Sequence, residues 1–132
     1  MELSVGMYVR TKDKKGITYI RKLTKLANDY PQKLYGMEVD DEIHYVNYLS
    51  QKNILKASHT LLGNEEEPCL IEVGDYVNGY KVSFIGNDYK PFVQCDYPVQ
   101  EETTNHYRFY EEAIYSIVTK EQFLQMEYKV GE

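Results

Sequence analysis

Three histidines and two cysteines are the side chains in this sequence that are best suited to proton transfer or metal binding. His44, His59 and His106 each stand alone, with no second histidine or cysteine three or four residues away to complete a local metal-binding pair. A metal site would require Cys69, Cys95 and His106 to converge from distant parts of the chain. We therefore predict no metal ion.

A hydroxyl lies beside an imidazole in the run Ser58-His59-Thr60. Neighbouring residues of an extended strand point to opposite faces, so these side chains cannot pair directly as nucleophile and base. The sequence also has no glycine-rich phosphate-binding loop and no nucleophile elbow. We predict neither an enzyme activity nor a cofactor.

The basic residues of the first half cluster on a predicted hairpin that also carries Tyr8 and Tyr19. Cationic side chains beside aromatic rings are typical of surfaces that contact phosphates and stack on bases. The alternative is that the lysines solubilise an exposed loop and protect a strand edge. The candidate nucleic-acid-binding residues are Arg10, Lys12, Lys14, Lys15, Arg21 and Lys22.

The second half is acidic. Residues 1–60 contain ten Lys and Arg against seven Asp and Glu, a net +3, and residues 61–132 contain five against fourteen, a net −9, which sum to the −6 of the chain. Carboxylates can imitate a phosphate backbone toward a basic protein, and neighbouring tyrosines can supply desolvated contacts. The alternative is a solvated surface. The candidate partner-binding residues are Glu101, Glu102, Tyr107, Tyr110, Glu111 and Glu112.

An internal repeat indicates how these residues are positioned. The sequence VGMYVR at 5–10 returns as VGDYVN at 73–78, which suggests that one small β-unit occurs twice. The run 63–68 combines a turn signal, three glutamates and a proline, so it is the predicted linker. We predict an N-terminal module at 1–62 and a C-terminal module at 69–132, with Val9 and Val77 buried at equivalent positions.

Short alternating segments separated by turn residues predict a mainly β protein. Asn78-Gly79 is a strong hairpin signal between two such segments. Thr119 and Gln122 have capping-box spacing, so a short helix should begin there and run through Met126. Many short strands with little helix favour small barrels, and we expect two SH3-like β-barrel modules in tandem with a short C-terminal helix.

The composition and the first residues of the chain bear on its expected cellular location. The chain has 132 residues, 42% hydrophobic and 27% charged, and no apolar run approaches the roughly 18 residues of a membrane span. Its first residues lack the basic segment and apolar core of a secretory signal. We therefore expect a cytoplasmic protein that does not contact a membrane, in which the two cysteines are small core residues.

Five stretches resemble small accessory proteins carried by phages and prophages of low-GC Gram-positive bacteria. They are VGMYVRT at 5–11, ILKAS at 54–58, LIEVGDYVNGYKV at 70–82, SIVTKEQF at 116–123 and EYKV at 127–130, of which the third is the most specific. The resemblance implies a cytosolic accessory protein, and such proteins often bind and block a host defence component such as a CRISPR effector. It carries over no known functional residues.

Two functions follow as expectations. The leading one is a protein inhibitor that binds a basic, nucleic-acid-binding host protein through the acidic second module. The alternative is a small β-barrel protein that binds nucleic acid through the basic N-terminal hairpin. The two differ in partner and in salt dependence, because phosphate binding weakens steeply as salt rises.

Overall fold

A computed structural model describes residues 3–27, 34–39, 42–50, 53–96 and 107–126. The chain divides into two compact units, Met1–Leu70 and Ile71–Glu132. The segment 63–68, predicted as a linker, lies within the first unit. There the Asn64 side-chain oxygen accepts from the backbone amides of Glu66 and Glu67 at 2.8 and 2.9 Å, which forms a turn.

The first unit is an antiparallel sheet. Its strands are β1 (Tyr8–Lys12), β2 (Thr18–Ala27), β3 (Leu34–Val39), β4 (Glu42–Ser50) and β5 (Ile54–Ser58). They lie in the order β4-β3-β2-β1-β5, so four strands form a meander and the fifth returns beside the first. The register of β2 against β3 shifts between Leu23 and Lys25, which marks a bulge in β2.

The second unit repeats this connectivity. Its elements are β6 (Tyr76–Val77), β7 (Tyr80–Asp88), β8 (Lys90–Cys95), β9 (Tyr107–Tyr110), a 3-10 helix (Glu111–Ala113), β10 (Ile117–Val118) and α1 (Lys120–Met126). The strand order is β10-β6-β7-β8-β9, and β7 has a register shift between Val82 and Phe84. The mainly β prediction is confirmed, but among the described strands neither sheet closes into a barrel.

The first five residues of the repeated hexapeptide have the same secondary structure in both units, whereas the sixth continues β1 at Arg10 and lies in a turn at Asn78. Gly6 and Gly74 have φ values of 99° and 100°, a region that residues with a side chain rarely adopt. The Gly6 amide donates to the Leu23 carbonyl at 2.8 Å, and the Gly74 amide donates to the Val82 carbonyl at 2.9 Å. Each repeat therefore begins with a glycine turn, and β1 starts after it, at Tyr8.

Buried apolar residues of β1 and β6 anchor the two units. Val9 and Val77 are each 0% exposed, which confirms that they occupy equivalent buried positions. Val9 belongs to a cluster with Met7, Leu23 and Ala57. The core of the second unit includes Ile71, Val77, Val82, Phe92, Val93 and Cys95.

The third position of the repeat differs chemically between the units. Met7 packs in the apolar cluster of the first unit, whereas its counterpart Asp75 is a fully buried carboxylate. Asp75 accepts from the Lys120 amide at 3.0 Å and from the Glu72 amide at 2.8 Å. This side chain therefore joins the start of β6 to the first residue of α1.

Two local sequence signals match the structure. Asn78 and Gly79, with φ of 53° and 88°, form the tight turn between β6 and β7. The Thr119 amide donates to Gln122 Oε1 at 3.0 Å, and the Gln122 amide donates to Thr119 Oγ1 at 3.1 Å, which is the predicted capping box.

Candidate partner-binding face

Three strands of the second unit present their alternate residues on one surface, which we call the aromatic face. Across β7 and β8, the register pairs Phe84 with Gln94, Gly86 with Phe92, and Asp88 with Lys90. Across β8 and β9, it pairs Phe92 with Tyr110 and Gln94 with Arg108. Alternate residues of paired strands share a face of the sheet. The aromatic face therefore comprises Phe84, Gly86, Asp88, Lys90, Phe92, Gln94, Arg108 and Tyr110.

Three rings of this face, together with the adjacent ring of Tyr89, form a continuous row. The ring centroids of Phe84 and Phe92 lie 6.2 Å apart, those of Phe92 and Tyr110 lie 5.9 Å apart, and those of Tyr110 and Tyr89 lie 5.7 Å apart. Gly86 makes room for two of the rings, since a Cβ there would lie 2.6 Å from Phe84 Cε1 and 2.8 Å from Phe92 Cζ. The row thus depends on a glycine in the middle of β7.

The ends of the row face solvent. Phe92, in the middle, is 4% exposed, whereas Phe84 is 51% exposed and Tyr89 is 82% exposed. Tyr89 lies in the turn between β7 and β8 with a φ of 48°, which is uncommon for a residue other than glycine or asparagine. Aromatic side chains are enriched at protein interfaces, so the exposed rings of Phe84 and Tyr89 suit a contact with a partner.

Two cations lie over these rings, and each is held by a carboxylate. Arg108 lies 4.0 Å from the centroid of Phe92 and 3.5 Å from an Asp88 oxygen. Lys90 Nζ lies 4.7 Å from the centroid of Tyr110 and donates to Glu112 Oε1, which follows β9 in the 3-10 helix. The aromatic face therefore combines apolar rings with alternating charges.

The pKa values of the groups around Lys90 reflect this network. The hydrogen bond from Lys90 holds the pKa of the Glu112 carboxyl below its ordinary value, and the same bond raises the pKa of Lys90. The hydrogen bond of Tyr89 to Tyr110 raises the pKa of Tyr89. Lys90 is thus cationic and Glu112 anionic at neutral pH.

The predicted partner-binding residues fall at this site in part. Tyr110 lies on the aromatic face, and Glu111 and Glu112 follow it directly in the 3-10 helix. Tyr107 is the first residue of β9, and Glu101 and Glu102 lie outside the described residues. The sequence analysis missed Phe84, Tyr89, Lys90, Phe92 and Arg108.

The sequence signal for the missed residues is weak, because apolar and polar residues do not alternate along the two strand segments 84–88 and 90–94 (FIGND and KPFVQ). The turn that joins them contains Tyr89 and no glycine at its left-handed position. The sequence therefore gives no hairpin signal at this turn, and the pairing of the two strands comes from the tertiary structure.

The predicted nucleic-acid-binding residues do not form one surface. Arg10 is 0% exposed, and its guanidinium donates to the Leu70 carbonyl at 3.0 Å and to Thr18 Oγ1 at 3.2 Å. It is therefore a core residue and is withdrawn from the candidate basic surface. A cationic side chain with acceptors on two other segments stabilises the unit from inside.

The remaining basic residues are divided between the two faces of the sheet. Lys22 pairs with Tyr8 across β1 and β2, and its ammonium lies 5.6 Å from the Tyr8 ring centroid. Arg21 is the preceding residue, so it points to the opposite face, where it lies 4.5 Å from the Tyr19 ring centroid.

The other lysines lie at the end of β1 and in the loop that follows it. Lys12, Lys14 and Lys15 are exposed there, beside an aspartate. The carboxylate of Asp13 accepts from the amides of Lys15 and Ile17 at 2.8 and 3.0 Å, so the loop also holds a negative charge.

His59 and Ser58 each have a local hydrogen-bond partner in the first unit. His59 Nδ1 is 2.7 Å from Glu67 Oε2, and its hydrogen bond lowers the pKa of that carboxyl. Ser58 is buried, and its hydroxyl accepts from the Thr60 amide at 3.3 Å. Among the described residues, no three His, Cys, Asp or Glu side chains are grouped so that they could hold a metal ion.

The cysteines differ in environment. Cys95 is completely buried, and this burial, with a smaller contribution from the charge of Asp96, raises the pKa of its thiol to about 11. Cys69 is half-buried. His44 lies in β4, where the structure describes the backbone only, and His106 lies outside the described residues.

Comparison with known proteins gives no relative from which to assign a role. No family model, no curated protein and no solved structure matches the chain. Within the described ranges, no helix has the length and apolar character that crossing a membrane requires.

Proposed function

We propose that this chain is a cytosolic, non-enzymatic binding protein that attaches to a basic, nucleic-acid-binding host protein through its second unit. The biological role is that of a phage- or prophage-encoded accessory protein that blocks a host component, such as a CRISPR effector or another anti-phage defence protein. The observation that carries this proposal is the aromatic face, where exposed Phe84 and Tyr89 flank the buried ring of Phe92.

Charge supports the choice of partner. Residues 71–132 contain five Lys and Arg against eleven Asp and Glu, a net −6. A surface with this excess repels nucleic acid and attracts a basic protein during diffusional encounter. The exposed rings then supply apolar contacts, which exposed ion pairs cannot replace because their net contribution is small. Charge would govern the rate of association, and the aromatic contacts would govern the lifetime of the complex.

We propose that the binding unit has the topology of an SH3-like small barrel in an open form, because its described strands do not close. Three observations support this assignment: a four-strand meander with the fifth strand beside the first, a bulge in the second strand, and a 3-10 helix between the fourth and fifth strands. Such folds serve many functions, so the role rests on the aromatic face and not on the fold.

A photocrosslinking experiment tests the proposed face. p-Benzoylphenylalanine replaces Tyr89, and in a matched control it replaces Tyr115, which is 81% exposed but lies off the aromatic face. Both proteins are irradiated in nuclease-treated host lysate. We expect a discrete protein adduct from position 89 that is absent from position 115. Equal adducts from both positions, or none from position 89, would contradict the proposal.

The alternative, nucleic-acid binding by the N-terminal hairpin, retains one supporting observation. Lys12, Lys14 and Lys15 are exposed together at the end of β1 and in the loop that follows it. Changing all three to alanine should leave host-protein binding intact, whereas changing Glu101, Glu102, Glu111 and Glu112 to lysine should slow association. If the alanine variant loses function and the charge-reversed variant keeps it, the alternative replaces the proposal, and mobility shifts should then weaken steeply with salt.

A further inference from the structure

The surroundings of Lys90 are those of a bound cation. Its ammonium lies 4.7 Å from the Tyr110 ring centroid and 5.8 Å from the Tyr89 ring centroid, and it donates to the Glu112 carboxylate. Ring faces within about 6 Å and a carboxylate are the groups that recognise a cationic side chain in proteins. Lys90 thus shows which chemistry this cluster accepts.

The cluster is open to solvent. The side chain of Glu112 is 66% exposed and that of Lys90 is 38% exposed, and Tyr89 is 82% exposed. Tyr89 also adopts a left-handed backbone conformation, which costs energy for a residue with a large side chain. The two rings and the carboxylate are therefore accessible to a side chain of a partner.

We propose that Tyr89, Tyr110 and Glu112 form a binding site for an arginine side chain, and that Lys90 occupies this site in the free protein. This inference rests on the proposed function, because it names the group of the basic partner that the acidic unit recognises. On binding, the partner's guanidinium takes the place of the Lys90 ammonium on the two rings and on the carboxylate.

An arginine is better suited to this site than the resident lysine. The planar guanidinium stacks on aromatic rings and forms two parallel hydrogen bonds with a carboxylate, whereas an ammonium is a compact and strongly hydrated point charge. The exposed Lys90–Glu112 ion pair contributes little, since both side chains keep access to water. Lys90 is therefore a weak competitor that arginine can displace.

The test measures binding of a tetra-arginine peptide, acetylated and amidated at its ends, to the full chain by NMR titration, with the matching tetra-lysine peptide for comparison. Lys90→Ala empties the site, and Lys81→Ala is its control, because Lys81 is an exposed lysine of the same unit and gives the same change in charge. Glu112→Gln removes the carboxylate, and Asp96→Asn, at another exposed residue, is its charge-matched control.

We expect Lys90→Ala to tighten binding of the arginine peptide by about 3- to 10-fold, the effect of losing one weak internal competitor. Lys81→Ala should tighten it less than 2-fold, by roughly the effect of general charge alone. Glu112→Gln and Tyr89→Ala should each weaken it by about 3-fold or more, and Asp96→Asn should have little effect. The wild type should prefer the arginine peptide to the lysine peptide.

The results that would contradict the arginine site differ from those that would contradict the proposed function. Equal effects of Lys90→Ala and Lys81→Ala, or of Glu112→Gln and Asp96→Asn, would show that only net charge matters and would overturn the arginine site. The peptide test does not depend on the host partner, so it separates the two proposals. If the variants behave as expected with the peptide but position 89 forms no adduct with a host protein, the proposed function fails and the arginine site stands.

Discussion

Val9 and Val77, separated by 68 residues, are both completely buried and follow glycines with nearly identical backbone conformations. The residues before those glycines are equivalent as well, since Val5 and Val73 are 56% and 54% exposed. Each repeat therefore carries one valine in the core and one at the surface, which provides matched pairs of variants.

Changing Val9 or Val77 to alanine should lower the free energy of unfolding by about 1–3 kcal/mol, because each change removes buried apolar surface and leaves a cavity. Val5→Ala and Val73→Ala should change it by less than about 0.5 kcal/mol. Urea unfolding followed by circular dichroism measures all four variants. A neutral Val77→Ala alongside a costly Val9→Ala would show that the repeats are not energetically equivalent.

Arg10→Met should destabilise the protein by about 1–3 kcal/mol, because it removes the donor to the buried carbonyl of Leu70 and to the Thr18 hydroxyl. The control is Lys12→Met, two residues further along the same strand at an exposed position, which should have little effect. Thermal unfolding compares the two variants. Equal melting temperatures would mean that the guanidinium contributes nothing to the core.

The hydrogen bond that holds the start of α1 can be tested by replacing Asp75 with methionine, the residue type at the equivalent position of the first unit. Asp75→Met should cost about 1–3 kcal/mol, because the Lys120 and Glu72 amides lose their acceptor. Thr119→Ala should cost about 1 kcal/mol through loss of the capping hydrogen bond. Leu124→Ala, at a 60% exposed position of the same helix, is the control. Hydrogen exchange of the α1 amides should accelerate in the first two variants and stay unchanged in the third.

The two cysteines should react with a thiol reagent at different rates. The thiolate is the reactive form, and burial raises the pKa of Cys95 to about 11, so Cys95 should stay unmodified at pH 8 in the native protein. Cys69, which is half-buried, should react first. Mass spectrometry of the alkylated protein identifies the modified residue, and rapid modification of both under native conditions would contradict the buried position of Cys95.

The same pKa predicts a loss of stability at high pH. The folded pKa of Cys95 is about 11 against an ordinary 9.0, so the thiol favours the folded state below pH 9. Between pH 9 and pH 11 the unfolded chain loses this proton and the folded chain keeps it, so the contribution declines as pH rises. The decline in unfolding free energy over that range should be shallower in Cys95→Ala than in the wild type.

Features set by neighbouring residues could be predicted from the sequence. The repeated Val-Gly-x-Tyr-Val segments, the Asn78-Gly79 turn and the capping box of Thr119 and Gln122 each depend on backbone conformations within a few residues. The chemistry of glycine, asparagine and threonine favours those conformations directly. Of the candidate site, this local information identified Tyr110, Glu111 and Glu112, which are consecutive in the chain.

Only the tertiary structure determined which residues distant in the sequence are in contact. Register between β7, β8 and β9 brings Tyr89 and Lys90 to Tyr110, about twenty residues further along the chain. Arg10 is interior because its hydrogen-bond partners lie on β2 and at Leu70. Met7 and Asp75 occupy equivalent backbone positions, but Asp75 lies beside α1 and accepts from the amide of its first residue. Strand pairing joins residues that are distant in sequence, and no short window of sequence specifies which residues are joined.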